Sequence, residues 1–218
     1  MGKLTKENAI PELVHCAELY RNELANRKLL FFGTAKSNKK VHCIEVGFRP
    51  ANFMHLTGAR HPKGSNQSAT SFYKKCINHR LSPEDFIIPD NGTMRVKLNV
   101  LPGILNGSIS AKMIGDYCSS RPQFYADKLI GGNRACLGVT LYSEKKEQKH
   151  KPVCYTPTST LRTSMKQMIC NQLRVVAVFR KNWEAREYAE VTYRADGVEW
   201  EVLKIPAEHS YLKSMLID

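Results

Sequence analysis

Leu173-Arg174-Val175-Val176-Ala177-Val178-Phe179 is an apolar, β-branched run; Tyr188 to Ala195 then alternates, and Asp196-Gly197 leads into Val198-Glu199-Trp200-Glu201-Val202. Asp-Gly between alternating runs is a strong short-range hairpin signal, because the tight turn needs residues that tolerate positive φ. The pattern predicts antiparallel strands at the end of the chain. Working back, Ala135 to Tyr142 and Ala111 to Cys118 also read as strands, while the charged run Glu144 to Lys151 reads as a solvated hairpin tip. Met94, Val96 and Leu98 alternate like a strand, yet Leu98, Leu101 and Leu105 fit a helix interrupted by Pro102 and Gly103, so both readings stay open there.

Earlier still, Phe72, Tyr73, Cys76, Ile77 and Arg80 fall at helical spacing after a Gly- and Pro-rich loop. Leu29 to Phe32 and Val41 to Val46 predict a hairpin that leads to a strand ending at His55. Ile10, Leu13, Val14, Ala17, Tyr20 and Leu24 predict an amphipathic first helix, with Pro11 in its first turn. Helices early, strands late and no βαβ alternation predict an α+β fold: an antiparallel sheet with N-terminal and flanking helices. The expected organisation is a helical segment over 1–28, an α+β domain over 29–205 and a tail over 206–218.

The 218 residues carry 33 Lys and Arg against 20 Asp and Glu, a formal net charge of +13. That balance favours a polyanionic partner. No apolar run is long enough to span a membrane and the first residues lack the apolar stretch of a secretory signal, so a cytoplasmic protein is expected. Seven cysteines without paired spacing then read as small buried hydrophobes. Cys76 and His79 give half of a zinc spacing, and Gly131-Gly132-Asn133-Arg134 lacks the spacing of a nucleotide-binding loop. Neither a metal nor a cofactor is expected.

Asn52-Phe53-Met54-His55-Leu56-Thr57-Gly58 carries the candidate chemistry. On a strand, His55 and Thr57 share a face, and Gly58 lets the chain turn so that both sit at a sheet rim. Cutting RNA without a metal needs a base for the ribose 2′-proton, an acid for the leaving 5′-oxygen and cations around the phosphorane. His55 is the candidate acid or base, with Thr57 orienting it or donating to a phosphate oxygen. Arg60 and Lys63 lie in the following loop as phosphate contacts, His61 reads as solvent-exposed, and Lys97 and Lys112 supply cationic reach. Tyr155-Thr156-Pro157-Thr158-Ser159-Thr160-Leu161-Arg162-Thr163-Ser164-Met165-Lys166 reads either as the capped start of a helix or as an anion cradle, with Arg162 and Lys166 as its cations. Arg121 lies in a turn-like stretch, and Tyr73, Tyr125 and Tyr155 are candidate base-stacking aromatics.

The His-Leu-Thr-Gly segment at 55–58, Phe72 to Cys76, Ala111 to Asp116 and Tyr155 to Arg162, in that order, resemble the fourth group of phage-associated nucleases named after barnase, EndoU, colicins and RelE. The resemblance extends from about Leu29 to Arg194. It implies a barnase/EndoU/RelE-like α+β nuclease fold, metal-independent RNA cleavage, and a place in phages, mobile elements or toxin systems. Residue chemistry and resemblance together give a candidate catalytic set of His55, Thr57, Lys112, Ser159 and Arg162, with Arg60, Lys63, Tyr73, Lys97, Tyr155, Thr160 and Lys166 as candidate RNA contacts. The family pattern Pro-Asn-Thr-x-Leu-Lys-x-Asp is replaced by Pro157-Thr158-Ser159-Thr160-Leu161-Arg162-Thr163-Ser164, which keeps a hydroxyl and a cation but lacks the amide and the carboxylate.

The leading reading is an endoribonuclease acting on single-stranded RNA or tRNA; the alternative is an inactive nuclease fold that binds RNA or a host defence complex. An acidic antitoxin or immunity protein is a further possible partner. A DNA-binding regulator has no recognisable helix-turn-helix or zinc finger to support it. Affinity for nucleic acid is expected to fall steeply from about 50 to 200 mM salt as counterions are released. A flat response in a binding titration would remove electrostatics as the driver.

Overall fold

The computed structural model of the chain describes residues 4–36, 39–118, 124–142 and 154–217. Thr5 accepts a hydrogen bond from the Asn8 amide and starts α1 (Lys6–Glu23), which buries Ala9, Leu13, Cys16, Ala17 and Tyr20 on one face. The helix begins earlier than its apolar spacing suggests, so Pro11 lies inside it. After α1 come β1 (Arg27–Thr34), β2 (Val41–Phe48), α2 (Asn52–Thr57), α3 (Ala69–Ile77) and α4 (Thr93–Ile104). The second half holds β3 (Met113–Tyr117), β4 (Lys128–Gly131), β5 (Cys136–Leu141), β6 (Cys154–Leu161), β7 (Ile169–Asn182), β8 (Glu190–Arg194) and α5 (Ser214–Ile217).

β1 is hydrogen-bonded on both edges, antiparallel to β2 on one and to β7 on the other. β2 joins β6 through a short parallel pairing at Glu45 and Val46, and β6, β5, β4, β3 and β7 follow antiparallel. Seven strands therefore close into a mixed barrel, with β8 added to β7 outside the ring. This corrects the expected open antiparallel sheet with flanking helices. The physical reason is the length of β7: its 14 residues pair along one edge with β1, and along the other first with β3 and then with β8. Bulges opposite Phe32/Gly33 and Ile114/Asp116 bend the strand. Bending is what lets a sheet close.

Alternation sorts the barrel's side chains. Leu29, Phe31, Val46, Ile114, Ile130, Leu137 and Val139 share one core with the buried faces of α1 to α4. Leu30, Phe32 and Phe179 face outward and are covered by Tyr188, Trp200, Leu212 and Leu216. This covering explains the failure of the expected Asp196-Gly197 hairpin. Gly197 does adopt positive φ, at 68°, but the chain beyond it turns through a short 3-10 segment, Trp200–Val202, that lays the indole on the outer cluster.

Other expectations change in the same way. Asn52 to Gly58 is a helix, since Phe53, Met54, Leu56 and Thr57 are buried at helical spacing and Gly58, with φ 78°, ends it. Tyr155 to Leu161 is a strand, whereas Met94 to Leu105 takes its helical reading. Cys118 and Cys170 form a disulfide with Cα atoms 5.9 Å apart, which overturns the reading of all seven cysteines as buried thiols. Cys16, Cys76 and Cys136 do fit that reading, and burial pushes each up to about 12. His79 lies 3.1 Å from Glu18 while Cys76 is enclosed in the core. Arg121 and the run Glu144 to Lys151 lie outside the described residues.

One ionic network ties the outer strands together. Glu45 on β2 accepts from Lys28 Nζ at 2.9 Å and from the Tyr188 hydroxyl at 2.5 Å, and Lys181 Nζ lies 3.9 Å away. Burial raises the proton affinity of Glu45, but the Tyr188 hydroxyl and the Lys28 ammonium outweigh it and hold the carboxyl below its ordinary 4.5. A depressed carboxylate contributes stability that is present above its ordinary value and is lost as pH falls through the folded one. Tyr188→Phe, which removes one donor to that charge, is expected to cost roughly 1.5–3 kcal/mol near neutrality. Thermal melts should show the deficit narrowing in acid; a pH-independent deficit would mean that only packing was lost.

Candidate functional site

Arg49-Pro50-Ala51 carries the chain from β2 into α2, and several bonds fix the angle of entry. The Tyr20 hydroxyl donates to the Arg49 carbonyl at 2.8 Å, and the Arg49 amide donates to Asn52 Oδ1 at 2.7 Å. Asn52 Nδ2 donates to Thr156 Oγ1 on β6 at 3.0 Å. With Phe53, Met54 and Leu56 turned into the core, the helix presents His55 to solvent. Thr57 does not share that face. It is fully buried, donates to the Met54 carbonyl at 2.8 Å and accepts from the Ala59 amide at 3.2 Å, so it shapes the turn.

Lys97 reaches the same helix from α4. Its side chain is 8 % exposed, and Nζ donates to the His55 carbonyl at 2.9 Å, alongside the Gly58 amide at 3.3 Å. A cation at the carbonyl end of a helix is favourable because the macrodipole is negative there. Gly58 is needed twice: a Cβ there would strain its left-handed φ and would lie 3.0 Å from Lys97 Cδ. After the turn, Arg60 and Ile87 exchange backbone hydrogen bonds of 3.1 and 2.8 Å, which anchors the loop that returns His61 toward His55. His61 Nδ1 is buried without a hydrogen-bond partner among the described residues.

The cluster is cationic. Burial lowers the proton affinity of His55, and the charges of Lys97 and then His61 lower it further. Burial alone brings Lys97 down to about 8. At neutral pH the site therefore offers a largely uncharged imidazole beside a mostly charged ammonium. Those are a proton acceptor and a stabiliser of negative charge.

The remaining candidates divide. β6 packs against both α2 and α4, so the Tyr155 to Leu161 segment lies under the helices that carry His55 and Lys97. On it, Ser159 pairs with Gly138, and Thr160 is buried opposite Leu137 with no partner for Oγ1 among the described residues. Tyr155 is half-buried with Lys128 Nζ 5.8 Å from its ring. Arg162 and Lys166 are exposed beyond the strand, and Arg60 and Lys63 are exposed in the loop after α2. Lys112 faces elsewhere, its Nζ 4.5 Å from the ring of Tyr193 on β8. Tyr73 is enclosed against Tyr20 and Phe53, with ring centroids 5.8 and 5.5 Å away, while Tyr125 is 78 % exposed.

Sequence reasoning missed the partnership of His61 and Lys97 with His55. A signal for Lys97 existed: Met94, Lys97, Leu98 and Leu101 sit at i, i+3, i+4 and i+7, which places the lysine on the apolar face of a helix. The other dense titratable cluster, around Glu45, already has both carboxylate oxygens engaged and serves as structural glue.

The family described as phage-Barnase-EndoU-ColicinE5/D-RelE like nuclease 4 matches residues 12–197. No curated protein and no solved structure matches the chain. Among the described residues, no helix is long and apolar enough to cross a membrane.

The buried lysine makes its own test. Because folding lowers Lys97 from 10.5 to about 8, the folded protein releases this proton before the unfolded chain does. Stability therefore rises across that interval. The melting temperature of the parent relative to Lys97→Met is expected to climb from about pH 8 toward pH 10.5. A constant difference would show that Lys97 titrates normally.

Proposed function

We propose, for a chain that belongs to the phage-Barnase-EndoU-ColicinE5/D-RelE like nuclease 4 family, that the nucleic acid it cuts is RNA and that cleavage needs no metal. The observation that carries this reading is His55, exposed at the end of a helix and flanked by the Lys97 ammonium and by a second imidazole, His61. The two imidazoles supply proton transfer, and Lys97 supplies positive charge as the phosphate gains negative charge. His55, kept uncharged at neutral pH, accepts the ribose 2′-proton. The 2′-oxygen then attacks phosphorus, the bond to the 5′-oxygen breaks, and His61 delivers a proton to that leaving oxygen. The product ends are a 2′,3′-cyclic phosphate and a 5′-hydroxyl. Arg60 and Lys63, in the loop between α2 and α3, contact flanking phosphates. Single-stranded RNA or tRNA is the substrate class, and an acidic antitoxin or immunity protein would match the basic surface.

His55→Ala is expected to melt like the parent and to cut RNA roughly 100-fold more slowly or worse, the ordinary contribution of a positioned proton-transfer group. For the parent, kcat/KM should rise with pH through a value below 6.5, as His55 loses its proton, and fall at higher pH as the acid that serves the leaving oxygen loses its proton and, near 8, Lys97 loses its charge. Cleavage in EDTA that leaves cyclic phosphate ends would support the scheme. A folded His55→Ala variant with the parental rate would overturn it. A parent that binds RNA or a host defence complex without turnover would establish the binding-only alternative.

A further inference from the structure

Trp183, directly after β7, lies where the barrel's outer face meets the start of α2. Its backbone amide donates to the Asn26 carbonyl at 2.9 Å, and its ring rests against Gly47 of β2. A Cβ at Gly47 would come within 2.6 Å of the indole, so only glycine lets the ring lie there. The Arg49 guanidinium sits 4.5 Å from the indole centroid and 4.7 Å from the Tyr142 ring, and Nη1 donates to the Tyr142 hydroxyl at 2.9 Å. Lys28 Nζ lies 5.2 Å from the same indole. Tyrosine, arginine and tryptophan thus form a stack held in place from several sides. The other tryptophan, Trp200, is buried in the outer cluster.

Beside the stack opens a groove of about 710 Å³, lined by Trp183 and Arg49 and by Asn26, Arg27, Thr70 and Asn182. Its size is that of a small-ligand site. Most of the lining groups suit one chemistry: the indole takes a base face, the carboxamides of Asn26 and Asn182 offer donor and acceptor to a base edge, and the arginines take phosphate, while the Glu184 carboxylate, which also lines the groove, steers that phosphate to the arginine side. A paired base hides both its face and its edge, so the chemistry selects an unpaired one. Pro50 and Ala51 also line the groove and lead straight into α2. A six-residue helix is about 9 Å long, which sets the groove close to His55 along the chain's own path.

We propose that this groove binds an unpaired base of single-stranded RNA, together with its phosphate, next to the nucleotide held at His55. The assignment rests on the ribonuclease reading for its position relative to the cut, but not for binding itself. The test uses the full chain with a short single-stranded 2′-O-methyl RNA, which cannot be cleaved by transesterification, and with the matching duplex. Trp183→Ala is expected to weaken single-strand binding roughly 10-fold or more, the typical loss of one stacked base, and to leave duplex binding unchanged. Thr70→Trp, which fills the groove while keeping Trp183, should block single-strand binding as well. On cleavable RNA, Trp183→Ala should raise KM and spare kcat.

Parental single-strand affinity in both variants, or equal losses for duplex and single strand, would overturn the proposal. If Trp183→Ala fails to melt cooperatively, the Thr70→Trp result decides alone. The two readings fail separately. Loss of binding in the groove variants with parental cleavage in His55→Ala removes only the catalytic assignment; loss of cleavage in His55→Ala with intact binding in both groove variants removes only the groove.

Discussion

Everything in this molecule depends on β1 being hydrogen-bonded along both edges. Once β2 takes one edge and β7 the other, the sheet has no free edge at β1, and the chain between β2 and β7 must complete the ring. The parallel pairing of β2 with β6 is the shortest seam of that ring, and α2 lies directly above β6. Asn52 crosses this junction to Thr156, so the helix that carries His55 is tied to the strand that completes the barrel.

The two faces of the barrel wall have different physical characters. Inward, apolar side chains merge with the helical layer into one core, and polar groups there work at backbone ends: Thr57 at a turn, Lys97 at the His55 carbonyl in the last turn of α2. Outward, charge is handled by mutual satisfaction, with Glu45 between Lys28, Lys181 and Tyr188, and Arg49 between two aromatic rings. Buried charges need partners because their desolvation is otherwise uncompensated. Lys97 differs, since its partner is a neutral carbonyl, and its proton affinity falls accordingly. That difference sets Lys97 apart from the charged groups that hold strands together and makes it a candidate for chemistry.

The structure also explains how a short segment comes to present a candidate group. His55 is the one exposed residue of α2's last turn, because Leu56 and Thr57 bury beside it. Gly58 ends the helix abruptly, and the anchored Arg60–Ile87 bridge brings the second imidazole back. Three separate segments thus place two imidazoles and one ammonium around a single helix end.

The sequence by itself determined the basic charge, the helical first segment, the β1–β2 hairpin, the strands near 113–117 and 136–141, the apolar long strand, and the order of motifs that points to a nuclease family. It also offered His55 as the candidate acid or base. These are local properties, written in periodicity and residue type. Tertiary structure alone decided the rest. Alternation says which face of a strand is apolar but not which strand lies beside it, so closure of the barrel was not legible. Phe53, Met54, Leu56 and Thr57 fit a helix, yet over so short a run the apolar pattern also fits a strand, and only packing against β6 and α4 resolves it. Asp196-Gly197 made its turn, but burying Trp200 on the outer cluster outweighed one more strand pairing. Lys97 joined His55 across 42 residues, a separation over which the chain carries no periodic signal. Distance in sequence hides such contacts because they are selected by the burial of whole faces rather than by neighbouring residues.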